Sequence, residues 1–337
     1  MVVAILAIFL ENKKIDRVYF EKEIDFEKEV VQNHKTFFGK DSLFIDTKKK
    51  LSTNTLGGVI PDGFLIDFRD PEDFKFYIVE IELSKHSFYK HIFPQITKFI
   101  AFFRSPDKKR LLTEEIYNLI GNNSVLKQAV TKYIKTQELY KFVTDLIRDS
   151  ENILIVIDDE KPEFEEILKT YPETWGELTK ILVIKKYDNP DRVIFSMEPE
   201  FDELDYLPQS ENNIVKVGGI SEEGQLDFMK CGVKELYYKL KESLLTVNPN
   251  IIFNPQKYYI SIRTNKNHVY LKGRKRWLDL VIMKEEEEIL ETIKTCRIRS
   301  LSGSVQKFYS GSCASVYLEK EDQIGEIIDC LQSLISK

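Results

Sequence analysis

The run "FYIVEIEL" (76–83) is apolar enough for the middle of a sheet, yet it carries two carboxylates, Glu80 and Glu82. Side chains of an extended strand alternate between faces, so Tyr77, Val79, Ile81 and Leu83 share one side. Ile78, Glu80 and Glu82 share the other, with the two acids about 7 Å apart. At a sheet edge this would be an ordinary solvated face. Within a sheet, two buried charges are costly unless something compensates them, and a cation would do so. Upstream, Asp62 follows Pro61 at the start of "GFLIDF", a strand able to pair antiparallel with the central one and bring its carboxylate beside Glu80. "IPDG" alone is an ordinary turn sequence. Together, Asp62, Glu80 and the Ile81 carbonyl make a candidate Mg2+ or Mn2+ site, with Glu82 as a further ligand.

The surrounding pattern is that of an α/β chain. "EKEIDFEKEVVQN" (21–33) reads as an amphipathic helix with Ile24, Phe26, Val30 and Val31 on its apolar side. This helix can present Glu23 to the acidic strand; Glu27, one turn on, shares that face and stays an alternative. Downstream, "HSFYKHIFPQITKFIAFFR" carries apolar residues at helical spacing, with Pro94 marking a bend or a first turn, and Gln95 opens its second part. Two helices are expected over 113–149. "NILIVIDD", a helix near 162–170 and "KILVIKKY" form a β-α-β unit, which implies parallel strands covered by helices. "DRVIFSMEPEF" adds an edge strand.

Residues 202–226 are polar and aperiodic, so the chain divides into a domain over 1–205, a linker over 206–226 and a small α+β domain over 227–337. The 337 residues carry a net charge of −6, with 42% hydrophobic and 31% charged side chains, a composition that argues against long disorder. The apolar stretch Val2–Leu10 is too short to span a bilayer and lacks a basic lead and a cleavage site, so a strand is expected there and no membrane association. Cys231, Cys296, Cys313 and Cys330 lack CxxC spacing, which favours reduced thiols and a cytoplasmic location. His34, His86, His91 and His268 form no HxH or HExxH pattern, which argues against a zinc or histidine-nucleophile site. The net charge does not advertise a nucleic-acid binder, but a local basic rim would suffice, and Lys48 with Lys49, or Lys272, Arg274, Lys275 and Arg276, could supply one; solvated turns are the plainer reading of both.

A "PD", a spacer, then "E-x-E" in a hydrophobic strand followed by a helix bearing Gln resembles the PD-(D/E)xK restriction-endonuclease-like superfamily. Within it, "EKEIDFEKEVVQNHKTFFG" is similar to the opening helix of NucS-like nuclease domains, where a Glu is followed by apolar residues at three and seven, an Asn at ten and a closing Phe-Gly; Glu23, Phe26, Val30, Asn33 and Phe38-Gly39 fit. The resemblance covers residues 1–205 and implies a restriction-endonuclease-like mixed sheet flanked by helices. It implies metal binding by Asp62 and Glu80, support from Glu23, and positioning of water or phosphate by Gln95. The implied activity is a Mg2+-dependent DNA endonuclease of restriction, repair or defence, in a superfamily where homodimers are common. The departure is Glu82, where the family usually has Lys; a Glu can bind a second metal or act as a base, and Lys85 could reach back from the strand end. The alternative is a catalytically inactive nuclease fold kept as a DNA-binding or protein-interaction module.

Overall fold

The computed structural model describes residues 8–10, 13–47, 60–71, 74–134, 138–171, 174–188, 193–204, 221–226, 229, 231–256, 259–274 and 276–335. Lys48, Lys49, Lys275 and most of the expected linker lie outside them. The chain forms two compact units, whose described residues fall within Met1–Asp205 and Asn213–Lys337.

The first unit is α/β. Its principal sheet runs Arg17–Val18, Thr179–Tyr187, Asn152–Ile157, Lys75–Glu82, Gly63–Asp67, Ser42–Asp46, with Ile194–Glu198 paired to the far side of Thr179–Tyr187. The strand Lys75–Glu82 has an antiparallel neighbour in Gly63–Asp67 and a parallel one in Asn152–Ile157, so the sheet is mixed about its acidic strand. The parallel pair continues through the helix Pro162–Thr170 to Thr179–Tyr187, as the β-α-β spacing requires. Ile8–Leu10 and Lys13–Ile15 make a separate small hairpin.

Two cores flank the sheet, and the alternation of the central strand divides its side chains between them. Phe76 and Ile78 pack with the helices Phe93–Phe103, Pro106–Gly121 and Leu139–Asp149. Tyr77, Val79, Ile81 and Leu83 pack on the opposite side with Phe26 and Val30 of the helix Glu23–Gln32. Three helices, Pro106–Gly121, Ser124–Ile134 and Leu139–Asp149, follow the Gln95 helix where two were expected; the first two are divided by a short turn at Asn122–Asn123. Pro94 occupies the first turn of Phe93–Phe103, where its missing N–H costs nothing, directly after a π-helical turn over Phe88–Ile92.

The opening helix is turned differently from expectation. Its buried positions are Phe26, Glu27 and Val30, while Ile24 is 47% exposed. Residues 23, 26, 27 and 30 recur at i, i+3, i+4 and i+7 and so form one face, with Ile24 about 100° away from its first member. That rotation directs Glu23 and Glu27 inward. Gly39 closes the segment after Phe38 at φ 85°, a left-handed conformation that glycine adopts without a Cβ clash.

The second unit has an antiparallel sheet in the order Ile252–Pro255, Ile260–Arg263, Asn267–Gly273, Leu278–Ile282, Ala314–Leu318, Arg297–Ser300. The helices Cys231–Val247, Glu286–Thr292 and Ile324–Ile335 cover the face bearing Leu271, Leu280 and Val316. The expected Ser/Gly loop (300–312) contains a short helix, Gly303–Phe308, which packs Val305 on Val281 of the other face. No helix among the described residues is long and apolar enough to cross a membrane, and the four cysteines form no disulfide.

Candidate functional site

Glu80 and Glu82 close the central strand, and both are buried, at 3% and 1% exposure. Side chains pack on both faces of this strand, which is why this E-x-E differs from a solvated edge pattern. In open sheets, binding crevices form beyond the carboxyl ends of strands with parallel neighbours, and Glu82 is the last residue of such a strand.

Asp62 lies one residue before the paired segment Gly63–Asp67, so the antiparallel register that matches Gly63 with Val79 carries it toward Glu80. The turn is pinned on both sides. Asp62 N donates to the Val79 carbonyl at 3.1 Å, and the Thr47 hydroxyl donates to the Pro61 carbonyl. A Cβ on Gly63 would come within 2.3 Å of the Phe44 ring, so the close approach requires glycine after the acid. The Asp62 carboxylate accepts a hydrogen bond from Ile81 N at 2.6 Å. Ile81 therefore offers this acid its amide, where the sequence had suggested its carbonyl as a metal ligand.

Glu23, Glu27 and Asp62 each bring an oxygen within 4.8 Å of the others. Removal from water, a hydrogen bond with Glu27 and the charges of Glu82, Asp62 and Glu27 push the Glu23 carboxyl up to about 7. A second group shares Glu23: one ligand atom each from Glu23, Glu82, His86 and His91 also falls within 4.8 Å. There His86 Nδ1 lies 2.9 Å from Glu82 Oε2 and 3.3 Å from Glu23 Oε2, and His91 Nε2 lies 3.2 Å from Glu82 Oε1. The imidazoles meet edge to face, with centroids 5.0 Å apart.

Glu80 belongs to neither group. Its Oε1 accepts a hydrogen bond from Gln95 Nε2, which joins the strand to the first turn of the next helix. The expected metal set of Asp62, Glu80 and Glu82 is thus distributed: Asp62 with Glu23 and Glu27, Glu82 with the histidines and Glu23, Glu80 with Gln95. Lys85 donates to the carbonyls of Phe20 and, at closer range, Glu21, so its reach from the strand end is directed to the backbone before the opening helix.

In the second unit the proposed basic grip has another use. Lys272 is 8% exposed and faces Asp279 in the register of its strand pair, and Arg274 lies 3.5 Å from the buried Asp279 carboxylate. Strand register places Lys272 on the same sheet face as the buried Asp279, and Arg276 is the exposed member among the described residues. Among the described residues of the expected basic stretch, Lys272 is thus buried, Arg274 is near Asp279 and Arg276 is exposed.

His86 and His91 are the residues that motif reading passed over. The available signal was Glu82-x-x-x-His86 beginning at a strand end. His91 could not have been assigned from spacing, because it sits in a π-helical turn that follows an irregular stretch through His86.

As a donor set, Glu23, Glu27 and Asp62 offer only hard oxygens, which suit Mg2+ or Mn2+. Three mutually repelling carboxylates with a proton held near neutrality are also what a cation would relieve. No family model matches the chain, and no curated protein or solved structure does either.

Proposed function

We propose that the first unit is a metal-dependent endonuclease that hydrolyses DNA phosphodiester bonds, in the setting of restriction, repair or defence. The observation that carries this reading is the meeting of Glu23, Asp62 and Glu82, remote in sequence, at the end of a buried strand. The architecture supports it: a three-strand antiparallel meander preceded by helices, then several helices and a strand parallel to the third, make a mixed sheet with helices packed against it. A mixed sheet flanked by helices is what the PD-(D/E)xK resemblance implies.

Glu23 and Asp62 would hold the ion, with Glu27 adjoining. When bound, a divalent ion polarises the scissile phosphate and lowers the pKa of the attacking water. Glu80 orients the Gln95 amide, whose remaining polar atoms can position water or a phosphate oxygen. The Ile81 amide holds the Asp62 carboxylate in one orientation. Glu82 is fixed by two imidazoles and completes the anionic wall.

Supercoiled plasmid incubated with the full chain tests the reading. Nicking is expected with Mg2+ or Mn2+, and it should disappear with chelator and in Asp62→Ala. Nicking that survives Asp62→Ala, or none with any divalent ion, would defeat the proposal, and DNA binding without cleavage would identify the inactive-module alternative.

A further inference from the structure

We infer that Glu82, His86 and His91, completed by Glu23, form a binding site for a divalent first-row transition ion, chemically distinct from the all-oxygen group beside it. The inference builds on the site of the nuclease reading, but it is tested by metal binding, so the two can fail separately.

Donor chemistry favours such an ion. Mg2+ takes oxygen ligands and sheds water reluctantly, whereas imidazole nitrogen favours Zn2+, Fe2+ and their neighbours. A pair of histidines with a carboxylate is an established zinc ligand set.

Spacing agrees with the chemistry. Ligands held about 2.0–2.2 Å from one ion, at the angles of tetrahedral or octahedral coordination, are about 2.8–3.6 Å from each other. The separations of 2.9, 3.2 and 3.3 Å among these donors fall in that range.

The scaffold holds the donors in place. Glu82 is anchored at 1% exposure on the central strand, and Phe88 anchors the turn that carries His91 in the core. The π-helical turn Phe88–Ile92 is a local departure from α-helical geometry, of a kind that recurs at functional sites, and it orients His91 toward Glu82. Both oxygens of Glu82 are engaged by imidazoles, so an ion bound there must accept nitrogen ligands or displace them.

The rival explanation for the same distances is a purely hydrogen-bonded cluster of imidazoles around a buried carboxylate, which needs no metal. Co2+ alone, titrated into the metal-stripped full chain, separates the two. We expect one histidine-dependent equivalent, seen as visible ligand-field bands typical of nitrogen and oxygen ligation, that survives a large excess of Mg2+. His91→Ala and His91→Gln should each weaken Co2+ binding at least about tenfold, since even supporting residues around metal sites cost 10- to 100-fold. His91 has a side chain 52% exposed, so these variants keep the fold even where His86→Ala does not, and a thermal melt verifies it. Unchanged Co2+ affinity in the His91 variants, or displacement of Co2+ by Mg2+, overturns the inference. Histidine-dependent Co2+ binding by a chain that nicks no plasmid supports it and defeats the nuclease reading. Mg2+-dependent nicking without histidine-dependent Co2+ binding does the reverse.

Discussion

Replacing Asp62 with asparagine is expected to lower plasmid nicking by about a hundredfold or more while changing folding stability by less than about 1 kcal/mol. Two stability terms oppose each other. The neutral amide keeps an oxygen to accept from Ile81 N, now at 2.6 Å, but gives up the charge assistance, which costs about 1 kcal/mol. It also removes one charge from the crowd around Glu23, a gain of similar size once partial exposure to water is allowed for. Activity has no such offset, because an amide oxygen is a far weaker ligand for a hard cation than a carboxylate. Parallel measurement of nicking rate and urea midpoint checks this. A proportional loss of both would make Asp62 a structural residue.

The second large effect is on protons. The Glu23 carboxyl is raised from 4.5 to about 7, so the folded chain binds that proton more tightly than the unfolded chain does. Its stabilising contribution is therefore complete below pH 4.5 and is lost as pH rises through about 7. Allowing for screening at a partly exposed group, Glu23→Gln should gain about 1–2 kcal/mol over the wild type between pH 5 and pH 8 in chelator, read by urea denaturation. A bound ion must displace the same proton. Mn2+ titration calorimetry in buffers of different ionisation enthalpy should then register release of at least about one proton near pH 6 and close to none near pH 8.5. Release that does not vary with pH would remove Glu23 from the ligand set.

The acidic strand was legible because its signal is local. Period-two alternation in an apolar run places Glu80 and Glu82 on one face of a strand that reads as central, and the β-α-β run implies the parallel pair beyond it. The approach of Asp62 followed from the same register logic. What failed was decided by rotation and by tertiary partners. On the opening helix sequence placed Ile24 inside with Phe26 and Val30, whereas a modest rotation makes the sheet accept Glu27 beside the same Phe26 and Val30. His91 depends on a π-helical turn that spacing rules do not anticipate. "KGRKR" reads as a solvated basic turn until the strand pairing sets Lys272 against the buried Asp279. In each case the residue's environment is set by the element packed against it, which local spacing does not encode.

Anomalous diffraction from crystals soaked in Mn2+ addresses most directly whether these carboxylates form a metal centre. Density is expected within about 2.2 Å of both Glu23 and Asp62 oxygens, the usual reach of such ligands. Well-ordered crystals with Glu23, Asp62 and Glu82 in place and no density between them, at saturating Mn2+, would contradict a metal centre at this site.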